Sequence, residues 1–274
     1  MYYTARHSCC TLQPKPSEFG LLLLPLGVFC MTFTNQITAV ATCRTPYKQK
    51  FGIPRQPGLV EARGYVELEG HINHLDAVRG IEQYSHLWLL FCFHENLAQG
   101  WKTTVRPPRL GGNEKLGVFA TRSTFRPNGI GQSVVKLHRV VQRKGKVCLE
   151  ISGMDLVDGT PIIDIKPYIP FSDSIEGAVG GIAQEAPKLI SVVFSELAAT
   201  QINAYSKQDA YTDLAELIRG VLGQDPRPAY KKAKDDPKLY QVALYDLDIF
   251  WRMAVDEDDR EYIQVLELKP GKCG

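Results

Sequence analysis

From Met31 onward, apolar residues fall in short runs separated by breaks rich in Gly, Pro, Asn and Asp. The runs are Ile37–Thr42, Tyr65–Leu68, His86–Phe93 (HLWLLFCF), Gly117–Thr121, Ser133–Val141, Val147–Ser152 and Pro161–Ile165. Short length, alternation and turn-forming breaks predict strands, assembled as a β-barrel or β-sandwich. Arg143-Lys144-Gly145-Lys146 lies between two alternating runs, where Gly145 can supply the positive φ of a tight hairpin. Asp158-Gly159-Thr160-Pro161 marks another turn.

Residues 172–187 (SDSIEGAVGGIAQEAP) are small, polar and glycine-bearing, which predicts an exposed linker. A smaller α+β module follows over 188–268. Its expected strands are Leu189–Phe194, Tyr240–Leu244, Ile249–Ala254 and Tyr262–Leu268, with helical spacing over Glu196–Tyr205 and Tyr211–Leu222. The larger β module is expected over 31–171.

The N-terminal apolar run Gly20–Phe29 (GLLLLPLGVF) has the length of a signal peptide, and Ala39-Val40-Ala41 resembles a cleavage site. A secreted binding protein is therefore an alternative. Against it, the preceding flank is weakly basic (Arg6 and Lys15 against Glu18), Pro25 splits the run, and cleavage after Ala41 would cut a strand. The run is also too short to span a bilayer. The expectation is that residues 1–30 are an extension or a mis-assigned start, with translation beginning at Met31.

Seven cysteines, odd in number, scattered and never in C-x-x-C, suggest neither a disulfide framework nor a zinc ribbon. They read as reduced thiols of a cytoplasmic protein. His71-x-x-His74 is the only close histidine pair and lacks a third ligand nearby, so no metal is expected. The net charge of +2 is uninformative, but Trp101–Lys146 carries eleven Lys or Arg and one acid, Glu114. Uncompensated positive charge at that density costs self-repulsion unless an anion relieves it.

No P-loop, H-E-x-x-H or G-x-S-x-G is present. Asn128-Gly129-Ile130-Gly131-Gln132-Ser133 lacks the third glycine of a dinucleotide fingerprint and opens a strand, so a Rossmann site is not expected. What stands out is a set of stiff polar loops, most of them carrying Arg or Lys: Phe51–Val60, Thr104–Asn113, Ala120–Gly131, Gly153–Pro161 and Asp164–Pro170. Proline fixes φ and glycine permits close backbone approach, so such loops can hold donors toward an anionic or polar ligand. Alternatively, their arginines brace a barrel through backbone carbonyls. Trp101, Phe125 and Tyr168 lie among the basic residues, and Asp225-Pro226-Arg227-Pro228-Ala229-Tyr230-Lys231-Lys232 repeats the combination. Cations interleaved with rings suit unpaired RNA.

Taken together, Tyr47-Lys48-x-Lys50-Phe51, Pro54-Arg55-Gln56-Pro57-Gly58-Leu59-Val60, Ser85-His86-Leu87-Trp88, Thr104–Gly131, Leu156–Pro170 and Asp225–Tyr230 resemble the TsaA-like family over about Met31 to Leu268. The resemblance implies a β-barrel binding S-adenosylmethionine outside the Rossmann scheme, a homodimer, and a small C-terminal domain that helps hold tRNA. The implied reaction is N6-methylation of threonylcarbamoyladenosine beside the anticodon of threonine tRNA. Carried over by position, the cofactor contacts would be Pro54, Arg55, Gln56, His94, Glu95, Arg122, Gln132 and Ser152-Gly153-Met154-Asp155. The tRNA contacts would be Asp164, Lys166, Tyr168, Arg227 and Tyr230. Asp155 and Asp164 are both candidates for the acceptor that orients the adenine N6 or takes its proton. A non-catalytic RNA-binding protein is the competing reading of the basic stretch.

Overall fold

Alternation along the chain becomes, in the computed structural model, alternation between two faces of curved sheets. The structure describes residues 20–23, 29–32, 34–110, 114–227 and 236–271. Residues 1–38 form a unit of their own, in which β1 (Gly20–Leu23) and β2 (Phe29–Thr32) pair antiparallel with Gly20 opposite Thr32. The expectation of an extension over 1–30 falls mostly outside the described residues.

Within the second unit, Ala39–Gly274, the first sheet comprises β3 (Ala41–Arg44), β4 (Arg63–Leu68), β5 (His86–Cys92), β8 (Ile130–Arg143), β9 (Lys146–Ser152) and β10 (Thr160–Pro167). Between β5 and β8 lies a minor two-stranded pair, β6 (Thr104–Val105) and β7 (Leu116–Gly117). The pairings run β10-β3-β4-β9-β8-β5 and return to β10, all antiparallel, so the sheet closes on itself. Two strands divide their length between their two neighbours. β8 pairs with β5 through its first half and with β9 through its second, Lys136 facing both His86 and Ser152. β10 does the same for β3 and β5, with a bulge between Ile162 and Asp164 that re-aims the strand.

The period of two puts Val66, Leu68, Leu87, Leu89, Phe91, Val135, Leu137, Leu149, Ile151 and Ile162 in the interior, all buried. The β8–β9 hairpin turns as its residues require, with both Lys144 (φ 49°) and Gly145 (φ 77°) left-handed. The run Gly117–Thr121 departs from expectation. Only Leu116–Gly117 is extended, and Val118–Ala120 forms a turn of 3-10 helix. Val118 alone is buried there while Phe119 stands 77% exposed, so the run has no face to give a sheet.

α1 (Pro170–Asp173) opens a long exposed segment that reaches the C-terminal elements. These are β11 (Ser191–Phe194), α2 (Glu196–Tyr205), α3 (Leu214–Gly223), β12 (Tyr240–Leu244), β13 (Leu247–Val255) and β14 (Glu261–Pro270). Ser195 caps α2 by accepting from the Ala198 amide at 3.1 Å. The sheet order is β11-β14-β13-β12, with β11 parallel to β14. One contiguous apolar core joins this sheet to the closed one, through Tyr47 and Val60 on one side and Ile218, Val242 and Leu244 on the other.

Arg227 is buried. The resemblance assigns it to tRNA, but the side chain has no solvent exposure. Asp225 grips it in bidentate fashion at 2.8 and 3.1 Å, with Asp236 at 4.0 Å and Glu261 at 3.8 Å. A guanidinium so enclosed cannot reach a phosphate, and it serves as an internal brace. Tyr230 lies outside the described residues. Because it takes the bidentate cationic partner away from the buried Asp225 carboxylate, Arg227→Ala should lower the unfolding free energy by about 3 kcal/mol or more. Urea denaturation checks this; a variant of wild-type stability with weakened RNA binding would restore the surface role.

Candidate active-site cavity

One end of the closed sheet opens into a cavity of about 580 Å3. The end of β5 (Leu90, Phe91, Cys92) and the start of β8 (Ile130, Gly131, Gln132) pair residue for residue at this end, and Thr160 begins β10 beside them. The segment between β3 and β4 and the loops after β5, before β8 and before β10 complete the wall, so lining residues run from Lys50 to Thr160. Antiparallel closure is what gathers them.

Eight of the eleven cofactor positions suggested by the resemblance line this cavity: Pro54, Arg55, Gln56, His94, Glu95, Arg122, Gln132 and Asp155. Arg122 donates to Gln56 Oε1 at 2.7 Å, joining two opposed loops. Lys50 Nζ donates to the Glu95 carbonyl at 3.1 Å and pairs with its carboxylate at 3.4 Å. Ser152, Gly153 and Met154 do not line the cavity. Ser152 is buried, donates to Glu61 at 2.9 Å and meets His138 Nε2 at 2.9 Å. Gly153 bonds through its carbonyl to the Gly58 amide at 2.8 Å, and Met154 is wholly buried in the core. These three support the wall that carries Asp155.

Asp155 is the most perturbed acid of the cavity. The Ser133 hydroxyl donates to its Oδ1 at 2.6 Å. Burial pushes the carboxyl up from 3.8 to about 6, against the opposing pull of Ser133, its own backbone amide and the Arg122 charge. Asp164, the other candidate acceptor, does not line the cavity; it pairs with Lys166 at 2.8 Å and accepts from the Ile165 amide. Tyr168 packs against Trp88 at 5.8 Å and His86 at 6.2 Å, one ring away from the cavity that Trp88 lines.

The bracing alternative holds for Arg126, whose Nη1 donates to the carbonyls of Thr121 (2.7 Å) and Val118 (3.3 Å). Arg55 and Arg122 remain exposed at the mouth. Sequence reasoning missed Trp88, Phe91, Phe93 and Ser133 as lining residues. The HLWLLFCF run was legible as a strand, yet nothing in it says that its last turn of side chains faces a void. Gly131 makes room for the rings, since a Cβ there would lie 2.4 Å from Phe91 and 2.8 Å from Phe93. Its absence lets those two rings meet edge to face at 5.2 Å.

A pocket of this size, with aromatic walls, two exposed guanidiniums and two carboxylates, suits a zwitterionic nucleoside-sized ligand. Among the described residues, no three His, Cys, Asp or Glu gather as metal ligands. Cys43, Cys92 and Cys148 are free thiols, and burial pushes the Cys43 thiol up, which suppresses its reactivity.

Comparison with known proteins gives two family matches: the tRNA-methyltransferase O N-terminal domain over residues 42–174 and the TrmO C-terminal domain over 187–271. The chain is 50% identical over 221 residues to the tRNA (adenine(37)-N6)-methyltransferase of Escherichia coli K12, covering 80% of this chain and 93% of that one. It is 48% identical over 239 residues to a putative S-adenosylmethionine-dependent methyltransferase RcsF of Pseudomonas aeruginosa, covering 87% and 99%. A crystal structure of TrmO from Pseudomonas aeruginosa superposes with a TM-score of 0.69 at 39% identity, covering 86% of this chain and 99% of that chain.

The Asp155 shift has a sign that can be measured. A carboxyl raised by folding costs nothing below its unfolded value near 3.8; the cost grows with pH and is complete above about 6. Asp155→Asn keeps an acceptor for Ser133 and removes that cost. It should raise the unfolding free energy at pH 7.5 by up to about 3 kcal/mol, with the gain shrinking toward pH 4. Urea titrations at the two pH values check it, and a gain independent of pH would contradict the assignment.

Proposed function

From the premise that the chain belongs to the tRNA-methyltransferase O family, we infer that it is an S-adenosylmethionine-dependent tRNA methyltransferase acting on N6 of adenine 37. The observation that carries the reading is the convergence of Pro54-Arg55-Gln56, His94-Glu95, Arg122, Gln132 and Asp155 on one cavity. S-adenosylmethionine supplies an electrophilic methyl group that needs no metal or covalent nucleophile. The residues present fit such a ligand. Arg55 and Arg122 offer guanidiniums to a carboxylate, and Glu95 and Asp155 offer anions to an ammonium or sulfonium.

The protein's task in an in-line displacement is alignment and exclusion of water. Phe91, Phe93 and Trp88 provide apolar wall, and the Arg122–Gln56 bond holds two loops at a fixed separation. Asp155 is the acceptor of choice over Asp164, because it faces the cavity and ionises near neutrality. Ser133 fixes the carboxylate so that a free lone pair can orient the adenine N6–H or take its proton as the nitrogen is methylated.

The finer substrate is threonylcarbamoyladenosine of threonine tRNA, whose added carboxylate calls for a cation, a role open to Lys166. Residues 31–171 carry the cofactor and 188–268 contribute to holding tRNA. Lys166 and Tyr168, beside the cavity, remain tRNA contacts in this scheme. The setting is cytoplasmic, in keeping with free thiols. Incubation with labelled S-adenosylmethionine and tRNA with or without the threonylcarbamoyl group tests it. Label should enter adenine 37 of the modified tRNA alone; equal labelling of both would remove the threonylcarbamoyl requirement, and no label with either would remove the activity.

A homodimer is part of the proposal. Phe171 (91% exposed), Ile175 (72%) and Val179 (88%) stand on one exposed segment, a pattern that marks interfaces. Sedimentation equilibrium should give twice the chain mass, falling to the monomer in Phe171→Asp; a wild-type monomer at micromolar concentration would end this part.

A further inference from the structure

Among the described residues none beyond Thr160 lines the cavity, yet the loop that forms one of its walls rests on the C-terminal sheet. The Tyr245 amide donates to the Pro46 carbonyl at 2.7 Å, and Tyr47 bridges to Leu244. Phe51 stacks on Tyr240 with ring centroids 6.5 Å apart and planes 13° from parallel. Tyr240 in turn stacks on the fully buried Trp251 at 4.7 Å and 18°. The Tyr240 hydroxyl donates to Asp236 at 2.5 Å, which tethers the far end of the ring.

Gly52 shows how close this seat is. Its φ of 89° is left-handed, and a Cβ added there would lie 2.5 Å from Val242 Cγ2 and 3.5 Å from Val221 Cγ1. The chain at Gly52 is thus pressed directly on β12, with α3 behind it. On either side of this contact, Lys50 and Ile53-Pro54-Arg55-Gln56 face the cavity. Gln56 then reaches across to Arg122. A displacement of the Tyr240 ring has one short route into the cavity, through Phe51 and Gly52 to Pro54, Arg55 and Gln56.

We propose that the C-terminal sheet sets the affinity of the cavity for S-adenosylmethionine, with Tyr240 as a positioning residue that seats the Phe51–Gln56 loop. The inference rests on the cofactor reading given above. It assigns the C-terminal module a part in cofactor binding that is separate from any hold on tRNA. A well-formed aromatic pair contributes enough to change a dissociation constant between about threefold and tenfold.

The test uses the full chain and three variants: Tyr240→Ala, Tyr240→Phe and Phe51→Leu. S-adenosylmethionine binding is measured by titration calorimetry without tRNA, and KM for each substrate and kcat are measured at saturation of the other. Tyr240→Ala and Phe51→Leu should raise both the cofactor Kd and its KM by about threefold to tenfold, leaving the tRNA KM and kcat near wild type. Tyr240→Phe, which keeps the ring and removes the hydroxyl that donates to Asp236, should restore cofactor binding. If Tyr240→Ala loses cooperative unfolding, Phe51→Leu, whose lesion lies on the loop side, decides alone. An unchanged cofactor Kd in a folded variant, or a rise in the tRNA KM only, overturns the inference. A wild-type chain that binds no S-adenosylmethionine would instead overturn the cofactor reading itself, and with it this proposal.

Discussion

Closure of the six-strand sheet is the constraint on which the rest depends. A sheet edge leaves amides and carbonyls unpaired, and here each strand finds two neighbours because β8 and β10 are long enough to be shared. Lys136 pairs on both sides of β8, and the bulge near Ile162 lets β10 turn from β3 to β5. Once the ring closes, the connections at one end have nowhere to go but around a single opening. The convergence of residues between Lys50 and Thr160 is a consequence of strand pairing, before any question of ligand arises.

The opening has its chemistry from what closure leaves unsatisfied there. Gly131 withholds a side chain where Phe91 and Phe93 need room, and both rings line the cavity together with Arg55, Arg122, Glu95 and Asp155. Asp155 sits at the boundary. Burial raises its affinity for a proton, while Ser133 and Arg122 keep it from remaining neutral at pH 7. A carboxyl balanced in that way can act on a weakly nucleophilic nitrogen, whereas Asp164, tied to Lys166, is spent on its neighbour. The arginines of the polar loops divide along the same line: Arg126 is consumed by carbonyls within its own loop, and Arg55 and Arg122 are left at the mouth.

The C-terminal sheet extends this logic. Its core is continuous with that of the closed sheet, so β12 is at once the edge of one sheet and the floor under the Phe51–Gln56 loop. Arg227, buried among Asp225, Asp236 and Glu261, holds the chain near Asp236, which accepts from the Tyr240 hydroxyl. The brace, the ring stack and the loop form one connected set of contacts.

Much of this was legible along the chain. Period-two runs marked most of the strands, though Ile37–Thr42 is extended in the sheet only from Ala41 and Gly117–Thr121 turns into 3-10 helix, and Glu196–Tyr205 is a helix over the limits its spacing predicts. The Arg143–Lys146 turn followed from its glycine, and the collinear Pro-Arg loops carried the family resemblance. These features are local, set by rotamer, φ and alternation within a few residues, so a single chain can declare them. Long-range pairing decided the remainder. Whether an arginine in a Pro-rich segment points to solvent or into a cluster of carboxylates depends on partners far along the chain, as Arg227 and Glu261 show. That Ser152, Gly153 and Met154 stand behind the wall while Asp155 faces the cavity depends on Gly58, Glu61 and His138. Sequence alone determined the elements and the residue types available for chemistry; tertiary structure decided which of them share a surface, because burial and charge pairing are properties of neighbours in space.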